Sequence, residues 1–137
     1  MKMTAGIVFS LLLTAAPVWA HHSFAAEFDA SKCADITGVL TKVDYQNPHA
    51  YVWVNVTNGS KVDETIFQLS SPSNLRRGGA KLSVLTDNVG KTVLVRGCAA
   101  RNGENNRFAA SFIKLADGTV QRVGQDVEGI FGTKIWR

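Results

Sequence analysis

Three histidines carry the most pointed chemistry in this 137-residue chain: His21 and His22 are adjacent, and His49 stands in Asn47-Pro48-His49-Ala50. If a new amino terminus begins at His21, its α-amine and ring can chelate one metal ion together, with His22 or His49 adding an imidazole. Amine and imidazole nitrogens suit Cu(II), so copper is the expected cofactor and His21, His22 and His49 are its expected ligands. Glu27, Asp29 and Asn47 are expected to support that set, the acids as an oxygen ligand or by orienting a ring. The competing reading makes His21-His22 a solvated terminus, and His49 a turn histidine hydrogen-bonded to backbone beside a proline.

Other side chains offer different chemistry. Tyr45, Tyr51 and Trp53 are candidates for a ligand-stacking face. Basic residues do not interleave with them, so nucleic acid is not the expected partner. Arg76-Arg77 before Gly78-Gly79 could grip an anion or simply form a solvated turn. Cys33 and Cys98 are the only cysteines; in an exported chain an even count favours a disulfide, worth about 4 kcal/mol by loop closure. No nucleophile elbow, Walker-type loop or zincin motif is present, and a non-catalytic protein is expected.

The elements that must position these residues begin with a segment expected to be removed. Lys2, the apolar run Ile7–Leu13 and Val18-Trp19-Ala20 read as a signal peptide over 1–20, too short in its apolar part to span a bilayer. Cleavage after Ala20 would expose His21, send the chain to the periplasm or outside, and leave no membrane segment. It would also remove Lys2 and lower the formal charge from +4 to +3. Residues 21–35 read as an extended amino-terminal arm, docked through Phe24 and Phe28.

The β-rich domain is expected over 36–123. Ile36–Tyr45 is a predicted strand with Val39, Thr41, Val43 and Tyr45 on one face, and Gly38 marks a bulge or bend. Ala50–Thr57 is a second strand, with Val52, Val54 and Val56 opposite Tyr51 and Trp53. Asn58-Gly59 turns it into a third strand over Val62–Leu69. Ser71 is a predicted N-cap with Pro72 opening a short helix. Lys91–Cys98 and Arg107–Leu115 are the fourth and fifth strands, and Thr119–Val123 can add a short one after Asp117-Gly118. Three strands, one short helical connection between strands 3 and 4, then two strands predict an all-β fold: a small five-stranded Greek-key, OB-like barrel. Residues 124–137 form a carboxy-terminal tail.

One combination of motifs resembles a known family. His21-His22-Ser23-Phe24-Ala25-Ala26-Glu27-Phe28-Asp29, Thr37-Gly38-Val39, Asn47-Pro48-His49-Ala50, Ser71-Pro72 with Leu75-Arg76-Arg77-Gly78, Ala110-Ser111 and Asp117-Gly118 are together similar to the small exported bacterial proteins grouped as domain of unknown function 6152. The resemblance extends to about residue 120. It departs at Tyr45, where members usually carry tryptophan, and at the extra Gly79. It implies export and a compact β-rich domain, and it carries no activity. The expected function is therefore an exported, non-catalytic copper-binding protein, its partner a metal ion or another exported protein. The alternative is an OB-like interaction module that binds a protein or small ligand without metal.

Overall fold

The computed structural model describes residues 24–78, 80–130 and 136. A single helical turn, α1 (Phe24–Glu27), runs directly into the long strand β1 (Phe28–Tyr45). Then follow β2 (Ala50–Asn58), β3 (Lys61–Gln68), the helices α2 (Pro72–Gly78) and α3 (Leu82–Thr86), β4 (Thr92–Ala100), β5 (Arg107–Lys114) and β6 (Val120–Arg122).

The strands form one sheet in the order β3-β2-β1-β4-β5-β6, with an additional parallel pairing of β3 with β5. This corrects the expected five-stranded OB-like barrel to a six-stranded sheet. The extra strand arises at the Asp117-Gly118 turn. The Asp117 carboxylate accepts the Thr119 N–H at 2.9 Å and its hydroxyl at 2.7 Å, while Gly118 takes a φ of 88°, which favours glycine. The chain returns along β5 from Lys114↔Val120 to Phe112↔Arg122. Two short helices, not one, connect β3 to β4.

β1 is longer than predicted because it serves two neighbours. Its Cys33–Val39 portion pairs with β4 and its Val39–Tyr45 portion with β2. Gly38 sits so close to β2 that a β-carbon would lie 2.4 Å from the Asn55 carbonyl oxygen. The register shifts between Leu40 and Lys42, beyond Gly38, and this changes which side chains face inward. Leu40 is fully buried, whereas Val39 is 39% exposed. Val43 and Tyr45 pack against the core after the shift.

β2 follows the predicted alternation, with Val52 and Val54 in the core and Tyr51 and Trp53 half-buried outside. The main core adds Phe67, Leu75, Leu85, Val93, Val95 and Ile113. α2 starts as predicted: Ser71 Oγ accepts the Asn74 N–H at 3.3 Å, and Leu75 is buried one turn on. Cys33 and Cys98 lie directly opposite each other on β1 and β4 and form a disulfide. Residues after β6 dock through Glu128, whose carboxylate accepts Arg96 Nε at 2.9 Å and Nη2 at 2.7 Å.

Candidate functional site

A cleft of about 170 Å3 opens where α1, the ends of β3 and β5, the start of β2 and the chain after β6 converge. Phe24, Phe28, Leu69, Ala109 and Ala110 supply apolar walls; Glu27, His49, Gln68, Ser70 and Gln125 supply polar groups.

Backbone pairing sets the position of His49. Ala50 N donates to Ser70 O at 3.0 Å, Leu69 N returns a bond to Ala50 O at 2.8 Å, and Ser70 N reaches Val123 O at 2.8 Å. These bonds hold the residue before Ala50 beside the end of β3. The Asn47–Pro48 bond in the preceding turn is cis. His49 Nδ1 lies 3.1 Å from the Leu69 carbonyl oxygen. That oxygen can only accept, so Nδ1 carries the proton and Nε2 of the neutral ring is an acceptor.

α1 is too short to persist alone, and two arginines hold it. Arg107 Nη2 donates to Glu27 Oε2 at 2.9 Å and to Gln68 Oε1 at 3.4 Å, and its guanidinium carbon lies 5.0 Å from the Phe28 ring centroid. Arg101 donates from its backbone N to Glu27 O at 2.8 Å and from Nε to Ala25 O at 2.7 Å. The Phe24 and Phe28 rings, one helical turn apart, meet at 5.5 Å. Phe28 is buried with Ala100 and Ala109 in a small second core beneath the cleft.

Of the residues proposed from sequence, the structure brings Glu27 and His49 to one cleft. His21 and His22 lie outside the described residues. Asp29 faces another set of partners: its carboxylate accepts the Ser31 hydroxyl at 2.6 Å and N–H at 2.9 Å, bonds that hold it below the usual aspartate range. Asn47 is exposed in the turn and is not part of the cleft wall. Tyr51 and Trp53 sit together with ring centroids 6.2 Å apart, and Lys42 Nζ lies 4.4 Å from the centroid of the Trp53 ring. Tyr45 is elsewhere, packed against the core with its hydroxyl donating to the Ala80 carbonyl.

The copper reading is corrected by this geometry. Among the described residues, one group of ligating side chains is close enough to share an ion, namely Cys33, Cys98 and Glu128. Both of its sulfurs are spent on the disulfide, so the cysteines are not copper ligands, and it contains no histidine. No described histidine accompanies His49, whose Nδ1 serves the Leu69 carbonyl in the structural role weighed against metal binding.

Sequence reasoning missed Gln68, Arg107 and Gln125. Each is an ordinary polar residue on a strand or the tail, and only the pairing of distant strands places them together. The four-residue spacing of Phe24 and Phe28 was the one local signal for the cleft.

Residues 9–109 match the family described as Family of unknown function (DUF6152). No curated protein and no solved structure matches the chain. The matched stretch includes most of the cleft wall; Ala110, Gly124 and Gln125 lie beyond it. Among the described residues, no helix is long and apolar enough to cross a membrane.

Proposed function

Because the chain belongs to the DUF6152 family, whose description assigns no activity, we propose from the cleft that it is an exported, non-catalytic binding module for a small ligand. The observation that carries this reading is the convergence of His49, Glu27, Gln68 and Ser70 on a pocket walled by Phe24, Phe28 and Leu69. Apolar walls with a few placed polar groups are the usual make-up of a ligand site. The volume equals that of about six waters at ~30 Å3 each, enough for a ring or short chain.

The engagement of the polar groups favours binding over catalysis. Glu27 is neutralised by Arg107, Ser70 Oγ accepts from Asn74 Nδ2 at 3.2 Å, and His49 Nδ1 is committed to Leu69. No hydrogen bond joins Ser70 to His49 as a nucleophile and base would require. Export is supported by the signal-like residues 1–20 and by a disulfide, which persists in oxidising compartments.

A fragment library screened by ligand-observed NMR against the purified protein and its His49→Ala variant tests the reading. Fragments should bind the parent protein and lose about tenfold in affinity in the variant, the cost of one well-made hydrogen bond. A library whose hits all bind both proteins equally, or that yields no hit, would sink it.

A further inference from the structure

We propose that the ligand of the cleft is a neutral phenol: one aromatic ring seated against Phe24 and Phe28, with its hydroxyl donating to His49 Nε2. This rests on the binding-module reading above and gives the ligand a chemical class.

The volume admits one ring. An engineered apolar cavity of about 150 Å3 holds a single benzene, whereas sites for drug-sized ligands take about 300 Å3 or more. The cleft, at about 170 Å3, belongs with the first. Backbone limits its width on one side. Gly124 N donates to the Ser111 carbonyl at 3.2 Å, and the chain presses this close to β5 because glycine has no β-carbon to overlap the Ala110 carbonyl oxygen.

The walls suit an aromatic ring. The Phe24 and Phe28 rings are inclined by 36° with centroids 5.5 Å apart, and Phe28, 1% exposed, is fixed in the small second core. A third ring meets such a pair edge-on or offset, contacts in which aromatic groups gain beyond their buried area and alkyl chains do not. Charge selects against ions. Among the described residues lining the cleft, Glu27 is the one charged side chain, and Arg107 already neutralises it at 2.9 Å. An ion entering this space gives up water without a free counter-charge in return.

His49 selects the polar group. With Nδ1 held on the Leu69 carbonyl at 3.1 Å, Nε2 is the ring nitrogen left to accept, and it calls for a donor on the ligand. Gln68 Oε1 and Ser70 Oγ already receive hydrogens, from Arg107 at 3.4 Å and Asn74 at 3.2 Å, so the Gln68 amide and the Ser70 hydroxyl remain as donors. A phenol oxygen meets both demands, giving one hydrogen and receiving another. Ionising at about pH 10, it keeps its proton at neutral pH.

Protein-observed NMR titrations at neutral pH with phenol, anisole, toluene and benzoate test the inference. Phenol should bind about tenfold tighter than anisole and toluene, the worth of one well-made hydrogen bond, and tighter than benzoate. In His49→Ala, phenol should fall to the level of toluene; the ranking in the parent protein stands whether or not that variant folds. Anisole, toluene or benzoate binding the parent as tightly as phenol, or a preference for phenol unchanged in the variant, would overturn the inference and leave the binding module standing. Failure of all four to bind would overturn the inference alone if the fragment screen yields hits that His49→Ala weakens, and both readings if it yields none.

Discussion

The Tyr45 hydroxyl donates a hydrogen bond to the Ala80 carbonyl, tying the end of β1 to the segment between α2 and α3. Burial pushes the phenol up to about 12, only partly opposed by the nearby Arg76. The folded protein therefore keeps this proton at a pH where the unfolded chain, with an ordinary tyrosine near 10, has lost it. Stability from this group is complete below about pH 10 and declines through about pH 12. Urea unfolding across that window should show the fall, and Tyr45→Phe should flatten it. An identical alkaline slope in the variant would assign the fall to other groups.

Leu40 and Val39 are neighbours with opposite fates, one fully buried and the other 39% exposed. Leu40→Ala should cost about 2–5 kcal/mol in equilibrium denaturation. Val39→Ala should cost less than about 1 kcal/mol, since it removes little buried surface. Equal costs would contradict the placement of these two adjacent residues on opposite faces of β1.

Gly124→Ala should destabilise the protein by about 1–3 kcal/mol. The atom in the way is a main-chain carbonyl oxygen of β5, which cannot rotate aside as a side chain could. Thermal melting checks the cost, and a neutral result would mean that this backbone approach is looser than described.

Replacing Cys33 and Cys98 together with serine should cost about 4 kcal/mol, the loop-closure value for a separation of 65 residues. Urea midpoints of the parent protein, oxidised and reduced, and of the double variant supply the comparison. The reduced parent and the variant should agree closely.

What the sequence reveals depends on how local its determinants are. The alternation of Tyr51, Val52, Trp53 and Val54 is legible because β2 is regular, and the Ser71-Pro72 start of α2 because capping chemistry acts over three residues. The burial of Leu40 is not legible, since the shift that turns it inward arises where β1 changes partners from β4 to β2. The sixth strand is legible as a possible addition after Asp117-Gly118, but its pairing with β5 alters the expected architecture. His49 stands out by residue type, yet its partner, the Leu69 carbonyl, is a backbone atom that no side-chain motif advertises. The cleft is the least legible, since Glu27, Gln68 and Gln125 meet only once strands distant in sequence have paired.

β5 has β4 on one flank and divides the other between two neighbours: Arg107–Ala109 pair with β3, and Phe112–Lys114 with β6. The sheet is therefore left with little open margin. On β3 the stretch beyond its pairing with β5 carries Lys61, Asp63 and Glu64, and Asn106 Nδ2 caps the Glu64 carbonyl at 3.0 Å. β6 is only three residues long. Short or charged margins are poor templates for a strand from another molecule. A sheet with nine fully or partly buried valine, isoleucine, leucine and phenylalanine side chains along β2, β4 and β5 is in this way protected from edge-to-edge aggregation.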